Sequence, residues 1–476
     1  VVVTEIAAVA AGRWRDLLGP RNLGAAAVLA GGVALYATNE FLTISLMPSA
    51  VADIGGRRFY SWVTTVYLVG SVVAATTVST VLTRWGPRRS YLMALSMFGV
   101  GSLGCALAPS MAALLVGRTV QGVAGGLLAG LAYAVINTAL PAVLWTKASA
   151  LVSAMWGVGT LVGPAAGGLF AQYGSWRWAF GVLVVMVAGM AVLVPLSLPA
   201  QPGAPASLVH RRIPVWSLLL LGVAALLISV AGVVQDMAMT VGLACAGSVL
   251  LAVFLVVDRR GSASVLPPSV FGAGPLKWVY ATLGVLMAGT MVDMYVPLFG
   301  QRLAHLTPVA AGFLGAGLAV GWTAAEISSA SLSRDRIIRR VTAIAPVVMA
   351  AGLTLNALTQ RQDASAGYVA VWALGLVMSG VGVGMAWPHL SAWAMSKVDD
   401  PGEGPVAAAA INTVQLMSAA LGAAVAGVVV NSVDSGGATA ARALFTTFAV
   451  LVAVGTVAAA RSGRDPHSAR RRTRVQ

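Results

Sequence analysis

The 476-residue chain is 58% hydrophobic and only 9% charged, with a mean hydropathy of +0.86. A soluble domain carries about 25% charged residues, so the composition excludes a water-soluble enzyme and specifies a polytopic membrane protein. The formal net charge of +15 would suit a nucleic-acid binder, but its distribution, set out below, assigns it to membrane topology instead. A membrane-crossing helix needs about 20 mainly apolar residues. In chain order such runs are predicted at 24–48, 62–82, 90–108, 112–140, 147–170 and 178–198, then at 214–234 and 238–257, then at 276–299, 309–331, 341–359, 367–394, 405–431 and 440–460. The expected fold is all-α, with fourteen transmembrane helices.

Short loops rich in Lys and Arg mark the cytoplasmic side. With the N-terminus inside, of 30 Lys and Arg only Arg57, Arg58, Arg177, Arg302, Arg361 and Arg442 fall outside, and only Arg118 lies within a span. An odd number of spans would scramble that alternation. Both termini are therefore expected in the cytoplasm, and the compartment is a bacterial inner membrane. Lys147, Lys277 and Lys397 are the only lysines, and Ala, Gly and Val abound, a bias that points to a high-GC bacterial genome. The basic residues read as topology signals and contacts for anionic headgroups, with no nucleic-acid partner; the tail arginines Arg470, Arg471, Arg472 and Arg474 read as a solvated or lipid-touching tail. No cleavable signal peptide is expected, because the first apolar run is too long for one. Cys105 and Cys245 lie in apolar runs and are expected as small packing residues, not a disulfide.

The loop after the second span carries Arg84, Gly86, Arg88 and Arg89, and the loop after the tenth carries Arg334, Arg336, Arg339 and Arg340. Both are short, basic and at the same place in a six-helix unit. The chain divides accordingly into a cytoplasmic N-terminal segment (1–23), a six-helix half (24–198), a linker with two extra spans (199–275), a second six-helix half (276–460) and a basic tail (461–476). Parallel six-helix halves with substrate bound between them describe one large transporter architecture.

Gly159, Gly163, Pro164, Gly167 and Gly168 lie inside the fifth span. Glycines four apart share one helix face, which lets another backbone approach closely, and Pro164 removes a helix hydrogen bond and favours a kink. Leu114, Arg118, Gln121 and Gly122 mark the fourth span, and Ser175-Trp176-Arg177-Trp178-Ala179-Phe180 opens the sixth. Ala410, Asn412 and Gln415, followed by Leu421-Gly422, mark the thirteenth. On these motifs the chain resembles the major facilitator superfamily, specifically its fourteen-helix drug:proton antiporter branch, over about residues 24–460. The resemblance implies export by alternating access. It assigns the fifth-helix glycines and Pro164 to a hinge and seal against the other half, and Arg84, Gly86, Arg88 and Arg89 to an inner gate. Two positions depart from the pattern. The gate loop has Ser79 for a glycine and Thr83 for an aspartate. Nine residues before Pro48, where the branch has an aspartate, stands Asn39, with Glu40 next to it and about 100° further round the helix.

Ionisable groups inside a membrane are costly and face the protein interior or water. Here they are Glu40, Arg118, Asp293, Glu326 and His389. Glu40 and Arg118 lie at similar depth, so Glu40 is expected to titrate for proton coupling with Arg118 tuning it; a static ion pair is the plainer alternative. Asp293 reads as a second proton or cation site or as an outer-vestibule residue. Glu326 reads as coupling-related or as the partner of Arg334 or Arg336, and His389 as an interface histidine. Tyr36, Asn39, Gln121, Met155, Trp156, Tyr295, Trp322, Asn412 and Gln415 are polar, aromatic or thioether groups within spans and are the candidate substrate contacts, each with helix packing as the alternative. Trp62, Trp176 and Trp178 read as interfacial belt residues.

No lysine follows a glycine, so the chain has no Gly-Lys-Ser/Thr phosphate loop and coupling to ATP within it is excluded. A proton gradient is the expected energy source, each charge moved being worth about 2.3 kcal/mol per 100 mV. No cofactor and no metal site is expected. The expected partners are a small-molecule substrate, protons and membrane lipids, and the expected unit is a monomer. The leading expectation is a proton-coupled exporter of amphipathic drugs or toxic small molecules. Export of a lipid or a specific natural product is the alternative, and a polytopic membrane enzyme the remote one, since the loops carry no catalytic cluster. A sensor on a transporter scaffold would need an added signalling domain, for which the chain has no room.

Overall fold

A computed structural model describes residues 14–200, 214–234, 236–261, 264–332, 334–398, 404–433 and 437–463. The basic positions at 13, 211, 212 and 464–474 lie outside the described residues. The described residues form no strand. The helices are α1 (Trp14–Leu17), α2 (Leu23–Ile54), α3 (Trp62–Ala106), α4 (Met111–Ala134), α5 (Ile136–Ala139), α6 (Trp145–Tyr173), α7 (Trp176–Ser197), α8 (Val215–Ala231), α9 (Met237–Arg260), α10 (Leu276–Thr290), α11 (Val296–Ala304), α12 (Pro308–Ala330), α13 (Asp335–Thr359), α14 (Ala366–Ser396), α15 (Gly404–Val433) and α16 (Ala438–Ser462). Among the described residues eleven helices are long and apolar enough to cross a membrane, or twelve with one bent pair counted as a single span. Val215–Ala231 is apolar but shorter, at 17 residues. The expected count of fourteen requires that helix and both legs of α3 to be counted, which length and composition alone do not grant.

The legs of α3 are antiparallel. Backbone atoms of Tyr67 pack on Gly122 of α4, while Gly101 packs on Gln121 and Gly117 of the same helix. Residues 67 and 101 thus sit at one height, whereas a straight helix would part them by about 51 Å. The chain reverses at Gly86, whose φ of 75° and ψ of 169° suit only glycine. Ser90 Oγ closes the turn by donating to the Gly86 carbonyl at 2.7 Å.

The two halves are knitted in the same way. In the first, a Cβ on Gly122 or Gly126 of α4 would lie 2.2 Å from the carbonyl oxygen of Tyr67 or Ser71 on α3. In the second, a Cβ on Gly380 or Gly384 of α14 would lie 1.8 or 2.1 Å from the carbonyl oxygens of Leu318 and Trp322 on α12. Each pair is a four-residue glycine step lying on a four-residue carbonyl step, the backbone-to-backbone packing that membrane helices favour in place of hydrophobic burial. The halves meet through α6 on α12, α3 on α15, and α2 on α11 and α12. The extra helices, α8 and α9, pack on each other, and α8 packs on α15 and α3 at the seam.

Loop ends expected on the outer side gather at one end of the molecule. Arg177 pairs with Asp53 and donates to the Ala108 carbonyl at 3.1 Å, and Asn431 donates to the Arg58 and Gly232 carbonyls at 2.8 and 2.9 Å. Lys397, expected on the inner side, donates to the Ser462 carbonyl at 2.9 Å. The aromatic belt expectation fails for Trp176, which is buried and donates to Asp53 at 3.0 Å. It fails also for Trp62, which donates to the Ser229 carbonyl at 2.9 Å. Each indole N–H found a protein acceptor, so neither faces the interface alone. Trp178 is exposed, as a belt residue would be. Cys105 is buried, Cys245 is exposed, and both are free thiols.

Candidate functional site

Between the halves lies a cavity of about 320 Å³. The first half lines it with Glu40, Phe41 and Ile44 of α2, Thr64 of α3, Tyr133 of α4 and Trp156, Gly157 and Thr160 of α6. The second contributes Met287, Thr290, Met291, Asp293, Met294, Leu318, Ala319, Trp322, Thr323, Glu326, Trp387, Asn412 and Gln415. Three carboxylates and no Lys or Arg line it, so it favours cations. One end is sealed: a Cβ on Gly168 would lie 2.6 Å from Val309 Cα across the halves, and one on Gly427 would lie 2.0 Å from Ser61 Oγ. Tyr60 stacks on Tyr295 at 4.9 Å between ring centroids, and Tyr295 on Phe299 at 5.9 Å. At the other end Tyr133 is 43% exposed and Thr323 is exposed.

Glu40 occupies the sealed end, 8% exposed, with its Oε2 buried and without a hydrogen-bond partner. Its neighbour Asn39 is fully buried on another face of α2 and does not line the cavity; its carbonyl and side-chain oxygen lie 2.7 and 3.5 Å from Thr43 Oγ1. The displaced acid, rather than the residue at the expected position, therefore faces the cavity. Asp293 faces it from the second half, 9% exposed, with its Oδ1 likewise buried and unpartnered. A proline explains its placement. Pro297 supplies no N–H, so the Asp293 carbonyl, four residues before, is left to the Val296 N–H in a tighter turn, Met291–Tyr295, that interrupts the span. Glu40 and Asp293 lie within Coulombic range of each other. Two carboxyls sharing a low-dielectric cavity cannot both ionise cheaply.

Arg118 is 1% exposed and stands behind the cavity wall. Its Nε donates to the Val63 carbonyl at 3.2 Å and its Nη1 to Gln121 Oε1 at 2.9 Å; Gln121 Nε2 donates to Ser102 Oγ at 2.8 Å. The guanidinium lies 4.1 Å from the Tyr67 ring centroid. Tyr67 stacks on Tyr36 at 5.5 Å, and Tyr36 meets Trp156 edge-on at 5.4 Å, so a train of rings links Arg118 to the cavity. Among the described residues no ion pair joins Arg118 to Glu40, although they remain within Coulombic range. The static-pair alternative is therefore not realised here; Arg118 directs its Nε and Nη1 to a carbonyl and an amide instead.

Glu326 lines the open end and accepts a hydrogen bond from Trp322 Nε1 at 2.9 Å. The expected pairing with Arg334 or Arg336 is not formed among the described residues; the indole one turn away on the same helix satisfies the acid instead. Trp322 lies 5.1 Å from Trp387 between centroids. His389 Nε2 and Ser329 Oγ are 2.9 Å apart, tying α14 to α12. Of the candidate substrate contacts, Trp156, Trp322, Asn412 and Gln415 line the cavity. Tyr36, Asn39, Gln121, Met155 and Tyr295 do not: Tyr36, Asn39, Gln121 and Tyr295 are buried in the packing just described, and Met155 packs against the core beside Trp156. Residues that sequence reasoning passed over include Met287, Met291 and Met294, whose spacings of four and three put them on one face, and Trp387 and Thr64.

The fifth-helix motif packs differently from expectation. Cβ atoms on Gly159, Gly163 and Gly167 would lie 2.6, 2.6 and 2.5 Å from Ala37 Cβ, Phe41 Cβ and the Leu42 carbonyl oxygen, all on α2 of the same half. Pro164 offers its carbonyl to Ser45 Oγ at 3.2 Å. Only Gly168 of these five glycine and proline positions meets the other half through its own missing side chain. The stripe therefore holds α6 against the helix that carries Glu40. Gly86 makes the turn within α3; Arg84 and Arg89 are exposed and Arg88 half-buried.

The Major Facilitator Superfamily profile matches residues 29–423. A probable multidrug-efflux transporter of Mycobacterium tuberculosis is 63% identical over 452 residues, covering 94% of this chain and 96% of that protein. The crystal structure of nucleoside transporter NupG aligns with a TM-score of 0.64 at 13% identity, covering 93% of this chain and all of that one. The inward open xylose transporter XylE from E. coli aligns with a TM-score of 0.60 at 13% identity, covering 90% and 94%. At such identities these two structures establish the likeness of fold.

Proposed function

The chain belongs to the major facilitator superfamily and is a membrane transporter rather than an enzyme, and from that premise we propose a proton-coupled exporter of amphipathic drugs or toxic small molecules that works by alternating access. The observation that carries this reading is the buried, unpartnered Glu40 carboxyl facing a cavity shared with Asp293 of the other half. A carboxyl without a protein partner is cheap to bury only when protonated. In the sealed-outside state Glu40 holds its proton; a cation entering the cavity favours the ionised form, and the released proton leaves by the open end. Arg118 tunes the same site through the Tyr67–Tyr36–Trp156 train. The three acids, the tryptophans and the methionines favour amphipathic cations of varied shape. The multidrug naming of the mycobacterial relative supports breadth.

In the orientation inferred from the loop charges, both termini are cytoplasmic, the sealed end faces outward and the open end faces the cytoplasm of a bacterial inner membrane. One chain builds the whole cavity, so a monomer suffices; no cofactor takes part. The test is substrate-driven proton release in proteoliposomes. Glu40→Gln is expected to abolish coupling while leaving substrate binding measurable. Proton-coupled export that persists at the wild-type rate would overturn the role of Glu40.

A further inference from the structure

The two-helix insert is fastened at one end and stands open at the other. At the sealed end, Trp62 of α3 donates to the Ser229 carbonyl and Asn431 of α15 to the Gly232 carbonyl, each at 2.9 Å. A Cβ on Gly232 would lie 2.9 Å from the backbone nitrogen of Val428. Toward the opposite end the insert leaves an apolar cleft of about 250 Å³ against α15, walled by Leu221, Phe254, Leu266, Val414, Met417 and Leu421. One wall is held by a carboxylate committed to the purpose. Asp258, 1% exposed, accepts from the backbone N–H groups of Val265 at 2.8 Å and Leu266 at 2.9 Å, and both of these residues line the cleft. The cleft is distinct from the substrate cavity. Asn412 and Gln415 face that cavity from one side of α15, and Val414, Met417 and Leu421 face the cleft from the other.

We propose that this cleft is a slot for one acyl chain of an anionic phospholipid whose headgroup sits on Arg259 and Arg260. From Thr413 to Leu421 the cleft follows α15 for about 12 Å, most of one leaflet of a hydrocarbon core about 30 Å thick. Leu251, Leu255 and Arg259 step by four along α9 and share one face. A chain lying along these leucines therefore brings its phosphate to Arg259, with Arg260 beside it. Both arginines are exposed, and neither carries an ion pair among the described residues. Bulk lipid tails are as apolar as the slot, so selective retention comes from the headgroup charge and the fit of the chain. Because α15 is the wall between slot and cavity, the bound lipid braces a helix that also touches substrate.

The test is native mass spectrometry of the purified full chain in detergent, titrated with phosphatidylglycerol or phosphatidylcholine. One phosphatidylglycerol is expected to be held at least tenfold more tightly than phosphatidylcholine. Arg259→Gln combined with Arg260→Gln is expected to weaken it about thirtyfold, which corresponds to about 1 kcal/mol for each arginine near an anionic headgroup. Met417→Trp fills the slot, leaves both arginines in place and is expected to remove the lipid. Should Met417→Trp not run as a single species on size exclusion, Leu421→Phe fills the same slot. Phosphatidylglycerol retained at wild-type affinity by a well-folded slot-filled variant overturns the proposal. So does phosphatidylcholine bound as tightly as phosphatidylglycerol.

Discussion

The two ends of the cavity are built from opposite materials. At the sealed end the halves touch through atoms that are missing: Gly168 lies on Val309, Gly427 on Ser61, and a Cβ at either position has nowhere to go. At the open end the walls are large side chains, Tyr133, Trp322, Trp387 and Glu326, with room around them. The difference teaches where each kind of change acts. A single methyl group at the sealed end penalises only the state in which that end is closed. A substitution at the open end alters what the cavity binds and leaves the balance of states alone.

Gly168→Ala should have the largest effect on that balance. Its Cβ would meet backbone, 2.6 Å from Val309 Cα and 3.0 Å from the Pro308 carbonyl oxygen, so no rotamer relieves the clash. Overpacking of this kind costs about 1–3 kcal/mol, a shift of about five- to 150-fold towards the state with that end open. Single-cysteine labelling of the cavity from each side of the membrane reads the shift directly. Gly163→Ala is the contrast: it wedges α6 from α2 within one half, so it should lower thermal stability while leaving the labelling ratio unchanged. Equal labelling shifts from both variants would erase the distinction between seal and scaffold.

Gly427→Ala should follow, with a shift of about tenfold. Here the obstructing atoms are side-chain ones, Ser61 Oγ and Cβ at 2.0 and 2.8 Å. Ser61→Gly should therefore restore the wild-type labelling ratio in the double variant, with little cost of its own at this helix-start position. A double variant as shifted as the single one would show that the seal does not run through this contact.

Much of this arrangement was legible in the sequence, and the illegible parts share a cause. Hydropathy runs placed the helices, and the short basic loop with Arg84, Arg88 and Arg89 placed the reversal of α3. The depth of Glu40 and Arg118 followed from counting residues along helices. What counting does not supply is rotation and partner. Whether Asn39 or Glu40 faces the cavity turns on about 100° of helix rotation, which packing against α6 decides. Depth alone makes Arg118 a tuner or ion-pair partner of Glu40, yet its Nε and Nη1 go to Val63 and Gln121, because a buried guanidinium takes whatever acceptors its surroundings present. The glycine stripe announces a close helix contact, but a stripe does not say which helix comes close: Gly159, Gly163 and Gly167 meet α2 of their own half, while Gly168 meets Val309 and the Pro164 carbonyl meets Gly312 across the halves. The matching glycine steps at Gly122–Gly126 and Gly380–Gly384 were visible as spacing, and they gained meaning only when both were seen lying on carbonyls.

At the open end, Trp322→Phe removes the hydrogen bond to Glu326 and keeps the ring packed near Trp387. A hydrogen bond to a charged group is worth about 1.5–3 kcal/mol, and half-exposure places this one at the low end. The expected outcome is a KM for a monovalent cationic dye raised about tenfold, with unchanged maximal rate, melting temperature and labelling ratio. A changed labelling ratio would mean that the open end takes part in the switch.

The smallest effect is expected at Trp62. It is the tie between the first half and the insert, through a neutral hydrogen bond to the Ser229 carbonyl, while Asn431 ties the insert to the second half. Opening the sealed end parts α3 from α15, so the insert cannot keep both ties at once. Trp62→Phe preserves the ring that meets Phe59 edge-on at 5.7 Å and deletes only the N–H. A neutral hydrogen bond contributes about 1 kcal/mol, so the labelling ratio should move about fivefold towards the opened state if that bond is the one that breaks. An unchanged ratio would mean that the Trp62 bond survives the opening, so that the insert travels with the first half and parts from the second.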